Sequence, residues 1–146
     1  MSQHYNSGSE LQQKILKGVD TLANNVASTL GPRGRNVILQ EADKRPIITK
    51  DGVTVAGFVE LEDPFENAAV QVLKQAAAQT NVMAGDGTTT STVLARAIVS
   101  QAQKYLTAGS SPIELKRGID KAVSAIVAQL EEHSIPISSE EDVAHI

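Results

Sequence analysis

Residues 85–90 read Gly-Asp-Gly-Thr-Thr-Thr and lead into an apolar helical stretch at residues 92–98, Thr-Val-Leu-Ala-Arg-Ala-Ile. Glycine lets the backbone adopt positive φ and approach a ligand closely. The first turn of a helix has amide groups without intrahelical partners, and the helix dipole there favours an anion. Threonine hydroxyls add further donors. This stretch therefore predicts a phosphate-binding loop that opens a helix.

Asp86 carries the negative charge of this loop. A carboxylate repels phosphate unless a cation lies between them, and magnesium accepts carboxylate and phosphate oxygens together. The loop therefore predicts a site for a magnesium-bound nucleotide. A simpler interpretation stays open on the motif alone, namely that residues 85–87 are a plain connection between helices with Thr88 as N-cap. The loop also lacks the Gly-Lys-Ser/Thr ending of a Walker P-loop.

The helices on either side of this loop follow from apolar spacing. A helix is predicted from Thr88 to about Leu106, with an inward face made of Val93, Leu94, Ala97, Ile98, Ala102 and Tyr105. Before the loop, Asp63 and Pro64 fit an N-cap followed by proline at the first helical position. The helix they begin is predicted to reach Met83, with an inward face made of Ala69, Val72, Leu73, Ala76 and Thr80.

The rest of the chain predicts a mainly α fold with one small β-hairpin. A first helix is expected from an N-cap at Ser9 to about Ser28, and residues 36–40 and 46–50 are β-rich runs that form the hairpin. Residues 52–58 are ambiguous between strand and helix. After a break, a further helix is expected from Pro112 to about Glu132, and a short last helix follows Ser138 or Ser139.

Two more loops have chemical character. One is residues 29–34, at the end of the first helix, and the other is residues 49–52, at the end of a strand. An acid beside a glycine at a strand end is often placed in a ligand cleft. Asp51 and Asp86 together would supply one acid for a metal and another for a water, as in phosphoryl transfer. Simpler interpretations stay open here too: a helix stop for the first loop and a turn for the second.

Composition restricts the class of protein. The 146 residues are 41% hydrophobic and 21% charged, with a formal net charge of -4, which fits one soluble domain and predicts no nucleic-acid partner. The chain has no cysteine, so disulfides and thiolate metal sites are excluded. No apolar run approaches the roughly 20 residues of a membrane span, and the N-terminus lacks a secretory signal. A cytoplasmic protein without membrane contact is expected.

Several strings, in this order, closely resemble the group I chaperonins, the type of bacterial GroEL and its mitochondrial counterparts. They are TLGPRGRNV (29–37), ITKDGV (48–53), ELED (60–63), FEN (65–67), AGDGTTT (84–90) and LKRGIDKAV (115–123). The resemblance extends from about residue 9 to the end of the chain. It implies the helical bundle of the chaperonin equatorial domain.

The resemblance also implies an ATP-driven folding chamber. Subunits of that family have equatorial, intermediate and apical domains and stack as heptameric double rings. The apical domain binds unfolded polypeptides and a co-chaperonin. In this chain, residues 1–8 are expected to be a flexible N-terminus, residues 9–135 the N-terminal half of the ATP-binding equatorial domain, and residues 136–146 the truncated start of the intermediate domain.

The resemblance assigns roles to the first two loops. Thr29, Leu30, Gly31 and Pro32 match the segment that lies along the adenosine and phosphates. The carbonyl groups of Thr29 and Lys50 match a potassium site beside the phosphates. ATP, Mg²⁺ and K⁺ are therefore the implied cofactors.

The remaining roles lie around the phosphates. Asp51 matches the catalytic acid that aligns the attacking water, and Gly52 the close-approach position beside it. Asp86 matches the magnesium ligand. The phosphate cradle matches Gly87, Thr88, Thr89 and Thr90.

Two functions are compatible with these features. The first is an ATP-dependent chaperonin subunit that assists protein folding or refolding. The family's second catalytic aspartate has no counterpart in this chain, so slow ATP hydrolysis by these residues alone is expected. The alternative is a truncated, non-enzymatic subunit that binds or modulates a host chaperonin ring.

Overall fold

A computed structural model describes residues 4–144 of the chain. The first three residues of the expected N-terminal tail and the last two of the expected intermediate segment lie outside the described part. The chain forms two compact units, which divide after Lys104. The elements of the first unit are α1 (Gly8–Ala27), β1 (Val37–Leu39), β2 (Ile47–Thr49), α2 (Gly52–Phe58), α3 (Pro64–Ala84) and most of α4 (Thr88–Thr107). The predicted mainly helical class with one β-hairpin is confirmed.

The hairpin lies where the sequence predicts it. Strands β1 and β2 pair antiparallel, with Val37 opposite Thr49 and Leu39 opposite Ile47. In the connection between them, the amide of Lys44 donates to the Glu41 carbonyl at 3.2 Å. Because β2 ends at Thr49, the hairpin delivers the residues that follow it to the candidate site.

The ambiguous segment after the hairpin is helical. Its N-cap is Asp51, whose Oδ2 accepts a hydrogen bond from the Thr54 amide at 2.8 Å. The valines of this segment made its sequence ambiguous, because β-branched residues favour strands. The cap starts a helix nevertheless, and Val55 of that helix is buried in the core.

The core lies among α1, α2 and α3. Its fully buried side chains include Leu22, Val26, Val55 and Val70. At Gly18 of α1, a Cβ would overlap the backbone carbonyl oxygen of Glu66 in α3. Glycine at this position therefore allows the two helices to approach closely. The cap of α3 is confirmed, since Asp63 Oδ1 accepts from the amides of Phe65 and Glu66 at 2.9 and 3.1 Å.

One predicted cap and one alternative cap are wrong. Helix α1 begins at Gly8 with Ser7 as N-cap, two residues earlier than the cap predicted at Ser9. At the start of α4, the carbonyl of Gly87 accepts from the Ser91 amide at 2.9 Å. Gly87 therefore occupies the cap position that the simpler interpretation of the loop gave to Thr88, and Thr88 is the first helical residue, as predicted.

The predicted inward face of α4 is wrong as well. Leu94 is 57% exposed and Ile98 is 45% exposed, whereas Thr92 is fully buried. Ala95 and Val99 pack against the core instead. The prediction followed the largest apolar residues. The start of α4 lies close to Gly52 of α2. Small and hydroxyl side chains of α4 face the core. In α3, Val72 is likewise exposed, and Val70 takes the buried place.

The second unit contains the end of α4, then α5 (Pro112–His133) and α6 (Glu140–Ala144). Pro112 occupies the first turn of α5, as predicted, although Ser111 makes no side-chain cap hydrogen bond. None of the residues of α5 is buried. Between residues 4 and 144, no helix is both long enough and apolar enough for a membrane crossing.

Candidate functional site

Three loops that are distant in sequence meet around one polar cavity of about 240 Å³. Its lining consists of Thr29, Leu30, Gly31, Lys50, Asp51, Gly52, Asp86, Gly87, Thr88, Thr89 and Thr90. The structure thus brings the site residues predicted from the sequence together, with one exception. Pro32 is not part of the lining, although it directly follows Gly31.

The end of α1 forms the first wall of the cavity. The Thr29 hydroxyl and amide both donate to the Val26 carbonyl, at 2.7 and 3.1 Å, which continues the helix by one tight turn. Gly31 then has a φ of 70°, a conformation that favours glycine. The Gly34 backbone lies so close to the Thr29 carbonyl oxygen that a Cβ would overlap it. This loop is therefore tightly folded back on the helix end.

Asp51 forms the second wall and is fixed at both its amide and its side chain. Its amide donates to the Thr49 hydroxyl at 3.0 Å. Its Oδ2 accepts from the Thr54 hydroxyl at 2.5 Å, in addition to the cap hydrogen bond. The Thr54 hydroxyl, followed by the Thr54 amide, lowers the pKa of Asp51 below its ordinary value. The carboxylate is thus charged at neutral pH and held in one position.

The loop between α3 and α4 forms the third wall. Gly85 and Gly87 have φ values of 73° and 82°, so both glycines are required by the backbone. The Asp86 side chain lies between them and accepts a hydrogen bond from the Gly87 amide at 2.6 Å. The carboxylate therefore turns toward the first turn of α4.

The second and third walls touch each other at Gly52. A Cβ on this buried residue would overlap the Thr89 hydroxyl and would lie 3.2 Å from the Thr88 hydroxyl. Glycine at this position lets the start of α2 approach the start of α4. The hydroxyls of Ser91 and Thr92 both donate to the Thr88 carbonyl at 2.9 Å, so they belong to the helix and not to the cavity.

The site loops fall within a match to a known family. Residues 22–146 match the model of the TCP-1/cpn60 chaperonin family. The chain belongs to this family. Membership confirms the resemblance to chaperonins found in the sequence and implies chaperonin-type assistance of protein folding. It also implies assembly with other chaperonin subunits.

In this chaperonin chain, binding of a metal ion would need oxygen ligands from a bound phosphate in addition to protein side chains. Among residues 4–144, no three histidine, aspartate or glutamate side chains come together as a metal cluster. Asp86 is one carboxylate beside the amides of a helix start. Magnesium is often bound by one or two carboxylates together with phosphate oxygens. The residues present therefore fit a magnesium ion that is shared with a phosphate group.

The sequence reasoning missed one residue of this chaperonin site. Thr54 holds the Asp51 carboxylate through its amide and its hydroxyl. Part of the signal was available, because aspartate is a preferred N-cap residue and its carboxylate accepts from the amide two or three residues later. It was overlooked because the segment after Asp51 was ambiguous between strand and helix.

Proposed function

We propose that this chain forms the N-terminal half of the equatorial domain of a group I chaperonin subunit, with residues 136–146 leading into the intermediate domain. We infer that its three-loop cavity binds ATP with magnesium. In the assembled subunits, this binding would drive protein folding, and we place that activity in the cytoplasm. The observation that carries this proposal is the convergence of residues 29–31, 50–52 and 86–90 on one cavity.

The start of α4 supports phosphate binding. The first-turn amides of a helix lack intrahelical acceptors, and the dipole there attracts negative charge. Thr88, Thr89 and Thr90 are the first three residues of α4, and all three line the cavity, as does Gly87 before them. This arrangement suits the phosphate groups of a nucleotide better than a neutral ligand.

Asp86 is the residue that would hold magnesium. When bound, magnesium neutralises phosphate charge and orients the phosphate groups. The Asp86 carboxylate already lies against the Gly87 amide, at the edge of the phosphate cradle. Without a cation, this charge would repel the phosphates that the adjoining helix attracts.

Asp51 suits the orientation of a water molecule. Its lowered pKa makes it a weak proton acceptor, since an effective general base has a pKa near the working pH. A fixed carboxylate can nevertheless accept a hydrogen bond from water and hold it in line with a phosphate. We assign this positioning role to Asp51.

The first wall suits the nucleoside and a potassium ion. Leu30 and Gly31 lie beside the phosphate cradle, where an adenosine could follow the loop. Potassium would take the backbone carbonyls of Thr29 and Lys50. The Thr29 carbonyl oxygen lies against the Gly34 backbone, so potassium would share that oxygen with a close backbone contact.

Titration calorimetry of ATP into the full chain tests this function. With Mg²⁺ present, Asp86→Ala should bind ATP roughly tenfold or more weakly than the parent, because the metal ligand is lost. With EDTA the order should reverse, and Asp86→Ala should bind ATP at least as tightly as the parent, because the carboxylate then only repels the phosphates. Asp120→Ala in the exposed part of α5 is the matched control and should behave as the parent. Equal affinities of the parent and Asp86→Ala in Mg²⁺ would refute the proposal.

The non-enzymatic alternative is favoured by one observation, an apolar groove of about 350 Å³ between α1 and α3. Its lining includes Leu11, Ile15, Phe65 and Val72, a surface that another subunit could cover. A chain that fails to bind ATP but elutes with a chaperonin ring in size-exclusion chromatography would support this alternative.

A further inference from the structure

An ion pair joins α4 to α1 outside the cavity. Arg96 Nε donates to Asp20 Oδ1 at 2.6 Å, across 76 positions of sequence. Neither residue lines the candidate site. The proposed function assigns no role to this ion pair. The two helices that it joins, α1 and α4, each have one end at the cavity.

Asp20 and Arg96 lie at similar distances from the cavity along their two helices. Asp20 precedes Thr29 by nine residues, and Arg96 follows Thr88 by eight. At a rise of 1.5 Å per residue, these separations are about 13 Å and about 12 Å along the two helix axes. Helices α1 and α4 therefore reach the cavity from the same side, and the ion pair connects them about two turns below it.

Helix α1 is firmly held by α3. Lys17 Nζ lies 2.7 Å from a carboxylate oxygen of Glu66, and Lys14 Nζ lies 2.7 Å from one of Asp63. Gly18, directly after Lys17, lets the two helices approach at Glu66. Asp20 thus extends from a helix whose position is fixed by the core.

Helix α4 is held less directly. The buried residues of α4 are Thr88 and Thr92, both in its first two turns, while Ala95 and Val99 are partly buried against the core. Contacts of such small side chains resist sliding and rotation only weakly, because apolar contact is not directional. The hydrogen bond from the Arg96 guanidinium to a carboxylate is directional and charge-assisted.

We propose that Asp20 and Arg96 are positioning residues, which set the register of α4 against α1 and hence the distance between the walls at Thr29–Gly31 and Gly87–Thr90. Sliding α4 by one residue would move its first turn by about 1.5 Å and rotate it by about 100°. The two side chains are 41% and 44% exposed, so the pair contributes little to global stability. The main effect of the ion pair is on the distance between these two walls of the cavity.

Two readouts on the full chain test this inference. The first is the affinity for ATP with Mg²⁺, which rests on the proposed function. The second needs no nucleotide: it is hydrogen exchange of the Ser91 and Arg35 amides, which bond to Gly87 and Ser28 at the two walls. Asp20→Asn and Arg96→Gln should each weaken ATP binding by about twofold to fivefold, and should speed exchange of these amides by a similar factor, with little change in Tm.

The charge-reversed double variant distinguishes positioning from a general structural role. Asp20→Arg combined with Arg96→Asp restores an ion pair and should recover affinity and slow exchange relative to either single reversal. The control is Asp120→Asn, which breaks the exposed 2.6 Å pair with Lys116 in α5 and should change neither readout.

Each outcome decides the inference. Parent-like affinity and exchange in both single variants would overturn it, as would a double variant no better than the single reversals. If the parent itself does not bind ATP, the proposed function fails, and the exchange readout alone decides whether the pair positions the two walls.

Discussion

Asp51 shows how one side chain at the site serves both the fold and the proposed chemistry. Its carboxylate caps α2 and also lines the cavity. Hydrogen bonds from Thr54 lower its pKa relative to the ordinary aspartate value of 3.8. Since the folded-state pKa is the lower one, the stabilisation from this carboxylate is present above that ordinary value. It is lost as the pH falls through the folded-state pKa.

Thr54→Val tests this account at the residue scale. The substitution removes the hydroxyl donor and leaves the backbone cap, so the pKa of Asp51 should rise toward its ordinary value. Carbon-13 NMR titration of the Asp51 carboxyl measures the change. Thr21→Val is the matched control, because the Thr21 hydroxyl donates to the Lys17 carbonyl in α1. An unchanged Asp51 titration in Thr54→Val would contradict the assigned cause.

Single site residues were predictable from the sequence where chemistry and neighbours coincide. Asp86, between two glycines and before a run of threonines, was predicted to lie at the site, and it lines the cavity. The partners of such residues were not predictable when they lie far away in sequence. The pairing of Arg96 with Asp20 depends on how α4 lies against α1, and no local pattern records that.

At the scale of elements, the approach of α1 to α3 depends on Gly18. Gly18→Ala should lower the free energy of unfolding, because overpacking costs about 1–3 kcal/mol. The gain in helix propensity is at most about 1 kcal/mol. The overlapped atom is the backbone carbonyl of Glu66, which cannot move aside as a side chain would. Urea denaturation measures the difference.

Gly57→Ala is the control for that substitution. Gly57 lies in α2, and a Cβ there would have no heavy atom within 4 Å. This variant should be as stable as the parent or slightly more stable. Equal stability of Gly18→Ala and Gly57→Ala would show that the close approach of α1 and α3 is not required.

Element boundaries were largely predictable, and buried faces were not. Asp63 with Pro64 is a strong local start signal and caps α3 as predicted, and α3 ends at Ala84, one residue after the predicted end at Met83. The inward face of α4 depends on the contact between Gly52 and Thr89, which joins residues distant in sequence. Leu94 and Ile98 stay exposed although their spacing predicted burial, because a local pattern does not record which face distant contacts turn inward.

For the whole molecule, the decisive property is that separate loops share one cavity. The end of α1, the start of α2 and the start of α4 each carry one wall, and the core of α1, α2 and α3 holds them together. Membership of the TCP-1/cpn60 family agrees with this arrangement. Collinear motifs predicted the family, but only folding places residues 29–31, 50–52 and 86–90 side by side.

Nitrogen-15 NMR during titration with ATP and Mg²⁺ tests this convergence most directly. The amide signals of Gly31, Gly52, Gly87 and Thr89 should all shift and should saturate with the same dissociation constant, because one nucleotide contacts all three walls. Amides lining the apolar groove, such as those of Ile15 and Val72, should stay unchanged. Saturable shifts confined to a single loop, or found in the groove and absent from the cavity, would contradict a shared nucleotide site.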